Sequence, residues 1–204
     1  EAIAGAGVSL SALIREAAAA NLGGVECLAG IPATIGGALA MNAGTPDGWI
    51  GDFVSAVYFL HPDGALGEFK PAAGAFTHRS FHAPAGAVLV GCRLRFTRRP
   101  MAEIHRDIKQ RLKLKKATQP LALASAGCVW KNPPGEVAAR LIEKCGLKGK
   151  RINGAEISSK HANFIVNRGG ATAADILALM ELTRERVQNQ FGIALEHELR
   201  IIGE

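Results

Sequence analysis

The sequence lacks the features of a membrane-spanning or secreted protein. No apolar run reaches the length of about 18 residues that a helix needs to cross a bilayer. Residues 1–8 contain none of the basic residues that open a signal peptide. We therefore expect a cytoplasmic protein that does not associate with a membrane.

Cysteine is scarce, and its spacing excludes two classes of site. The four cysteines are widely separated at Cys27, Cys92, Cys128 and Cys145, and none forms a CxxC pair. This argues against a metal knuckle and a redox dithiol. No other group of residues has the spacing of a metal site, so we predict reduced thiols and no metal.

The common nucleotide-binding loops are also missing. Residues 30–44 are rich in glycine and small residues, but they match neither GxGxxG nor a Walker loop. Composition alone favours a tight structural turn there. The alternative is a loop whose backbone lets a flat or phosphorylated ligand come close.

Positive charge is confined to one segment. The net charge is +6, and residues 93–116 contain ten basic and two acidic residues, so the remainder of the chain carries −2. Phe96 is the single aromatic residue of this segment, which leaves no stacking platform for nucleic acid. We predict a solvated helix face, or a face near a phosphate-bearing ligand, and no nucleic-acid partner.

The apolar pattern predicts an α+β chain, in which 48% of the 204 residues are hydrophobic. A helix is expected from Ser9 or Ser11 to Gly23, and a basic helix over 101–117 that ends at Gln119-Pro120. Strands are expected over 54–60 and 88–96. We place a domain boundary near Ala117.

The second half of the chain repeats the mixture of helices and strands. Apolar spacing predicts a helix over 137–145 that is closed by Gly146. Thr172, with Asp175 three residues later, predicts the start of a long helix that ends at Gly192. Short strands are expected over 164–166 and 199–202.

Cys128 is the most informative candidate for chemistry. A lone cysteine is most often a small buried hydrophobic residue. The alternative is a general acid, because a thiol with a pKa of about 8.5 is mostly protonated at neutral pH and gives up its proton readily. Lys131 and Lys160 would then lower the pKa of the thiol.

Other polar residues lie where a substrate could be bound. Arg79 occupies a polar island between Phe76 and Phe81 and suits a substrate carboxylate, although a plain loop explains it equally. Glu196 and Glu198 alternate along a strand, which turns one toward solvent and allows the other to face a cleft, although two exposed carboxylates are the usual case. His161 reads more simply as a structural histidine.

Taken together, several motifs resemble one family, the UDP-N-acetylenolpyruvoylglucosamine reductases, which are flavoenzymes of bacterial cell-wall synthesis. The motifs occur in family order from residue 4 to the end of the chain. They are AGAGV at 4–8, LAGIPATIGGA at 28–38, MNAG at 41–44, QPL at 119–121, GCVWKNP at 127–133, LIE at 141–143, KHANF at 160–164 and EHELRIIG at 196–203.

The resemblance implies a reaction and a set of site residues. NADPH would reduce FAD, and the flavin would reduce UDP-N-acetylglucosamine enolpyruvate to UDP-N-acetylmuramate. Cys128, where the family usually has serine, would be the proton donor, with Arg79 and Glu198 as catalytic partners. Lys131, Asn132 and His161 would bind the UDP-sugar. FAD would contact Gly30, Ile31, Pro32, Thr34, Gly36, Gly37, Asn42, Ala43 and Arg200.

The resemblance also implies a domain organisation. Residues 1–116 would be the remainder of a two-subdomain FAD-binding region of the PCMH-like type, and 117–204 a small α+β substrate-binding domain. The sequence resembles the shorter branch of the family, which lacks a tyrosine-bearing insertion. We expect the first flavin subdomain to lie outside this chain. The alternative function is therefore that of a non-catalytic fragment that at most binds a UDP-sugar. The oligomeric state is left open.

Overall fold

A computed structural model describes residues 1–203 and shows helices and strands mixed along the chain. The chain divides into two compact units, Glu1–Leu114 and the residues from Lys115 onward. The α+β class is confirmed. The assignment of flavin binding to 1–116 and substrate binding to 117–204 stays a prediction.

The first unit combines short strands with helices. Its helices are α1 (Leu10–Ala19), α2 (Ile35–Ala40) and the beginning of α3 (Met101–Thr118). Its strands are β1 (Ala2–Gly5), β2 (Leu22–Gly23), β3 (Gly44–Thr45), β4 (Gly48–Trp49), β5 (Val54–Leu60), β6 (Leu66–Phe69), β7 (Phe76–Thr77), β8 (Ser80–Phe81), β9 (Val88–Leu94) and β10 (Thr97–Arg98).

One antiparallel sheet carries the core of this unit. The strand order is β1-β9-β5-β6, and Val57 pairs with Cys92 at its centre. Phe59 and Leu94 point from the sheet into a core that also includes Leu10 of α1 and Ile35 of α2. Helix α2, which lies within the glycine-rich stretch, therefore packs against β1 and β9 of the sheet.

Most predicted elements of the first unit are present, with shifted ends. Strand β5 has the predicted bounds, and Ser9 caps α1 by accepting the Ala12 N–H. The predicted end of α1 at Gly23 is wrong because Asn21 takes a positive φ of 57° and Leu22–Gly23 pairs with β10. The predicted strand over 88–96 ends at Leu94. Helix α2 was missed.

The basic helix α3 covers 101–118, close to the predicted 101–117. Its apolar residues differ in burial: Ile104 is buried, whereas Leu112 is 41% exposed. Within residues 1–203, no helix is long and apolar enough to cross a membrane.

The second unit packs two helices against a small antiparallel sheet. The sheet has the order β11-β14-β13-β12. The elements are β11 (Ala124–Cys128), α4 (Ala138–Lys144), β12 (Arg151–Ile152), β13 (Ala155–Ile157), β14 (Phe164–Asn167) and α5 (Ala173–Phe191). Trp130, Leu141, Ile157 and Leu179 lie in its core.

Local signals place the helices of this unit well. Thr172 and Asp175 form the predicted capping box of α5, and Gly192 ends that helix with a φ of 69°. The predicted strand over 199–202 is wrong. The pairing occurs earlier, where His197 forms an isolated bridge with Trp130, and Ile202 is 90% exposed.

Candidate active site

The start of α2 has its backbone donors engaged by the protein itself. The Ile35 N–H donates to the Val8 carbonyl and the Gly36 N–H to the Ala6 carbonyl, both at 2.8 Å. The Gly37 N–H donates to the Thr34 hydroxyl at 3.2 Å. These three donors are therefore not available to a phosphate group, so this part of the stretch does not form an anion cradle.

Two exposed glycines beside this turn leave room for a flat group. A Cβ built on Gly37 would meet only the Thr34 hydroxyl oxygen at 3.6 Å, and a Cβ on Gly7 would meet nothing within 4 Å. Gly36 differs, because its Cβ would lie 3.0 Å from that of Ala6. Packing explains the glycine at 36 but not those at 7 and 37. The exposed backbone that includes Gly7 and Gly37 forms an open strip. This strip therefore fits a flavin ring that approaches the backbone closely.

Other residues predicted to contact FAD have clear structural contacts. Asn42 is 6% exposed, and its amide bonds both the Thr77 carbonyl and the Gly51 N–H. Ala43 is buried, and its N–H donates to the Ala38 carbonyl while its carbonyl accepts the Ile50 N–H. Gly30, Pro32 and Thr34 are exposed, although the Thr34 hydroxyl also caps α2.

Arg79 lies in the two-residue turn of a short hairpin between β7 and β8. Its φ of 56° is uncommon for a residue with a side chain. The guanidinium carbon lies 6.0 Å from the centroid of the Trp49 ring, and the His78 ring contacts the same indole edge-on. The predicted polar island is thus a tight turn held against an aromatic ring.

An aromatic base supports this turn from below. The rings of Phe76 and Phe81 stack with centroids 4.4 Å apart, and Phe81 also contacts Phe59 and Phe69. Strain at a turn residue that is fixed so firmly is typical of functional positions.

In the second unit, Cys128 is the last residue of β11 and is half-buried. The pairing with β14 shifts register between Ser125 and Cys128, and Gly127 takes a φ of 86°. Such a bulge changes the direction of the side chain that follows it. None of the four cysteines is in a disulfide. The sequence did not show the bulge, although Gly127 was a signal for it.

The residues after Cys128 lead to a small cavity. Lys131 Nζ bonds Glu196 Oε2 at 3.0 Å, and both side chains are exposed. Asn132 accepts the Ala138 N–H at 3.0 Å and so helps to start α4. The cavity has a volume of about 140 Å³ and is lined by Lys131, Asn132, Pro133, Pro134, Ala194 and Glu196.

His161 is half-buried, and its Nδ1 atom accepts the Asn163 N–H at 3.3 Å. This bond leaves the proton of the neutral ring on Nε2. Burial, with a smaller effect from the charge of Lys148, lowers the pKa of His161 below its ordinary value. The ring is therefore a neutral hydrogen-bond donor at neutral pH.

Glu198 and Glu196 differ in exposure. The Glu196 side chain is 77% exposed, whereas Glu198 is half-buried and its N–H donates to the Val129 carbonyl at 2.7 Å. The structure thus brings the segments of Cys128, His161 and Glu198 together in one unit. Arg200 is exposed near the end of the same unit.

Two polar residues that the sequence did not single out are important for the fold. Asn163 is 4% exposed and holds Trp130 through both of its side-chain atoms. Glu26 is also 4% exposed and pairs with Arg99, which in turn bonds Asp107. Part of the basic segment is therefore neutralised within the first unit.

No group of three or more His, Cys, Asp or Glu side chains in residues 1–203 is arranged to hold a metal ion.

Arg111, another residue of the basic segment, pairs with Asp47. These ion pairs show that several charges of the segment have partners in the protein.

Comparison with known proteins identifies both parts of the chain. Residues 1–70 match the family model of an FAD binding domain. Residues 119–202 match the model of the UDP-N-acetylenolpyruvoylglucosamine reductase C-terminal domain. The two matches lie on either side of α3.

Individual relatives agree with these matches over nearly the whole chain. A UDP-N-acetylenolpyruvoylglucosamine reductase from Anaeromyxobacter sp. (strain Fw109-5) is 49% identical over 99% of this chain and 63% of its own length. The enzyme of the same name from Moorella thermoacetica is 45% identical over 99% of this chain and 67% of its own. The chain thus spans roughly two thirds of these relatives.

A solved structure supports the same assignment. The crystal structure of the UDP-N-acetylenolpyruvylglucosamine reductase from Thermus caldophilus matches with a TM-score of 0.85 and 44% identity, over 98% of this chain and 71% of that one. The ordered motifs, the α+β architecture and these matches together show that the chain belongs to the UDP-N-acetylenolpyruvoylglucosamine reductase family.

Proposed function

We propose that this chain takes part in the NADPH-dependent, FAD-linked reduction of UDP-N-acetylglucosamine enolpyruvate to UDP-N-acetylmuramate. The observation that supports this most is that an FAD-binding match and a reductase C-terminal match follow one another in the chain. Within the reductase C-terminal match, Cys128 lies directly after a bulge, at the end of strand β11, which fixes the direction of its side chain.

FAD is proposed to lie along the exposed strip that includes Gly37. The bound flavin would supply hydride to the enolpyruvyl group. Gly30, Ile31, Pro32, Thr34, Gly36 and Gly37 would contact the ring by close backbone approach, because the protein's own packing leaves Gly37 open. Asn42 and Ala43 would shape the strip from beneath, and Arg200 is proposed as a further FAD contact.

Cys128 is proposed to complete the reduction by donating a proton. The Sγ–H bond breaks and a C–H bond forms at the substrate carbon next to the carboxylate, which leaves a thiolate that regains its proton from water. A thiol suits this step because its reference pKa of about 8.5 keeps it protonated at neutral pH.

Arg79 and Glu198 are proposed to act on the substrate carboxylate. A guanidinium binds a carboxylate through two parallel hydrogen bonds and stays charged at all relevant pH values. Its attraction grows as negative charge develops in the transition state, so Arg79 would stabilise the enolate as it forms. Glu198 would help to polarise the same carboxylate.

The UDP-sugar is proposed to be bound by Lys131, Asn132 and His161. The ion pair of Lys131 with Glu196 is exposed on both sides, so it is worth only about 0.2–1 kcal/mol and is readily exchanged for a phosphate contact. His161 would offer its Nε2–H as a neutral donor.

Substrate-dependent consumption of NADPH tests this function. The chain is purified, FAD is added, and NADPH oxidation is followed with and without the enolpyruvyl substrate for wild type, Cys128→Ser and Cys128→Ala. We expect turnover in wild type, partial activity in Cys128→Ser and a loss in Cys128→Ala. Full turnover by a flavin-loaded Cys128→Ala variant would remove the thiol from the mechanism.

A second function, binding of a UDP-sugar without turnover, is favoured by one observation. The first three N–H groups of α2 are bonded within the protein, so they give no support to the pyrophosphate of FAD. The visible spectrum of the chain after addition of FAD and removal of the excess separates the two functions. A retained flavin spectrum contradicts the second, whereas its absence together with calorimetric binding of the UDP-sugar supports it.

A further inference from the structure

We propose that Asn163 is a positioning residue that fixes the segment from Cys128 to Lys131 for the reaction proposed above, on which this inference rests. The structure assigns it neither substrate contact nor proton transfer. Its side chain acts on the backbone of Trp130, which lies between the proposed proton donor and the proposed substrate-binding lysine.

The hydrogen bonds of Asn163 replace a strand partner. Its Oδ1 accepts the Trp130 N–H at 2.9 Å, and its Nδ2 donates to the Trp130 carbonyl at 2.8 Å. Its own backbone carbonyl accepts the Val129 N–H at 2.8 Å. One residue therefore satisfies three backbone polar groups of Val129 and Trp130, beyond the point where the ladder of β11 and β14 ends at Cys128.

The burial of these groups makes the amide difficult to replace. Asn163 is 4% exposed, Trp130 3% and Val129 2%. A backbone N–H or C=O that loses its partner there has no water to replace it, so the segment must move to regain one. Because Cys128 follows the bulge and lies two residues before Trp130, movement at Trp130 shifts the thiol.

Asn163 also contacts one of the proposed substrate-binding residues, His161. Its N–H donates to His161 Nδ1 at 3.3 Å. On the opposite side of the segment, the Glu198 N–H donates to the Val129 carbonyl at 2.7 Å and the Lys131 N–H to the Glu196 carbonyl at 2.9 Å. The segment is thus held between Asn163 and residues 196–198, and Asn163 provides the side-chain half of that hold.

Asn163→Asp is the sharpest variant because it removes one donor and keeps the shape. A carboxylate still accepts the Trp130 N–H, but it faces the Trp130 carbonyl without a proton to donate. When the new carboxyl group is protonated at acidic pH, both bonds are restored. Asn167→Asp is the matched control, since Asn167 uses only its Oδ1, as acceptor of the Gly169 and Ala171 N–H groups.

The first readout is the reactivity of the Cys128 thiol and needs no flavin. Iodoacetamide alkylation is measured in a Cys145→Ser background, because Cys27 and Cys92 are buried. We expect the alkylation rates of Asn163→Asp and Asn167→Asp to differ by about fivefold or more at neutral pH. The ratio should return toward one at acidic pH. The titratable group in contact with Asn163 is His161, which both variants retain.

The second readout is turnover at full flavin loading. We expect Asn163→Asp to lower kcat by about tenfold, with a smaller change in KM, because the loss of a fixed geometry acts on the chemical step. Rates are expressed per folded molecule, so simple destabilisation does not change them. If wild type itself shows no turnover, the proposed function fails while the alkylation ratio still tests the position of Cys128.

A measurement on the wild-type chain covers the case in which the variant does not fold. Amide hydrogen exchange should show the Trp130 N–H protected to a degree similar to the Val129 N–H. Rapid exchange at Trp130 would overturn the inference. Equal alkylation rates and equal kcat values for Asn163→Asp and Asn167→Asp at every pH would overturn it as well.

Discussion

The Nδ2 atom of Asn42 lies 3.0 Å from the carbonyl oxygen of Thr77, two residues before Arg79. The Oδ1 atom of the same amide accepts the Gly51 N–H at 3.1 Å. The glycine-rich stretch and the Arg79 turn, which are separate motifs in the sequence, are therefore joined through one buried side chain. The position of the proposed catalytic arginine depends on the stretch proposed to contact FAD.

Replacement of Asn42 should loosen this connection. In Asn42→Ala the Thr77 carbonyl and the Gly51 N–H both lose a buried partner, and we expect the free energy of unfolding to fall by about 1–3 kcal/mol. Asn42→Asp keeps the acceptor for the Gly51 N–H, so its free energy of unfolding should lie between those of Asn42→Ala and wild type. Urea denaturation measures all three. An unchanged midpoint for Asn42→Ala would show that the amide bonds do not hold the turn.

The open space at Gly37 gives a contrast between neighbouring glycines. Gly37→Ala adds a methyl group that meets only the Thr34 hydroxyl, and alanine is favoured over glycine within a helix by about 0.5–1 kcal/mol. We expect the flavin-free protein to be equally or more stable and its affinity for FAD to fall. Gly36→Ala should instead lower stability, since its Cβ would press on Ala6.

Chemical denaturation without FAD and titration of FAD by its fluorescence measure the two effects separately. If Gly37→Ala binds FAD as well as wild type, then Gly37 is not a flavin contact. A loss of stability in Gly37→Ala would mean instead that the strip is closed by the protein itself.

The sequence predicted those parts of the fold that depend on near neighbours. The capping box of Thr172 and Asp175 involves residues three apart, and β5 shows its apolar run directly, so both were found. Asn42 and Thr77 are 35 residues apart, Trp130 and Asn163 33, and Arg99 and Glu26 73. Neither spacing nor composition links such pairs, which is why the groups that hold the candidate site were missed.

The same distinction explains the errors at element ends. The apolar residues of 199–202 suggested a strand, but a strand needs a partner, and the partner backbone at Val129 and Lys131 is already bonded to residues 196 and 198. The choice between the two registers is made by tertiary contacts and not by the local sequence.

The buried Glu156 should make stability depend on acidic pH. Its hydrogen bonds with Arg168, and then with Arg151, lower the pKa of this carboxyl below its ordinary value of 4.5. A carboxyl with a depressed pKa contributes stability that is present above the ordinary value and is lost as the pH falls through the lower, folded-state value. Wild type should therefore lose stability below about pH 4.5 as Glu156 takes up a proton.

Glu156→Gln isolates this contribution. The variant should be less stable than wild type at neutral pH, because a neutral amide pairs poorly with two guanidinium groups, and the difference should shrink as the pH falls through the folded-state pKa. Glu185→Gln, on the exposed surface of α5, is the control and should follow wild type. If Glu156→Gln and wild type differed in stability by a constant amount at all pH values, the pH dependence could not be assigned to Glu156.

His161 should produce a second pH dependence in a higher range. Burial, followed by the charge of Lys148, lowers the pKa of His161 below its ordinary value of 6.5. Between these two values the unfolded chain binds the proton and the folded chain does not, so stability falls as the pH falls through that window. His161→Gln should reduce this loss, whereas His105→Gln, at an exposed position of α3, should leave it unchanged.

Two measurements check the histidine directly. An NMR titration of the His161 ring should give a midpoint below 6.5, and denaturation at a series of pH values should show the loss of stability over the same window. The proposed Nε2–H contact with the UDP-sugar predicts that affinity changes with the same midpoint. A midpoint at or above 6.5 would contradict the lowering of the His161 pKa by burial. A midpoint above neutral pH would also overturn the assignment of His161 as a neutral donor.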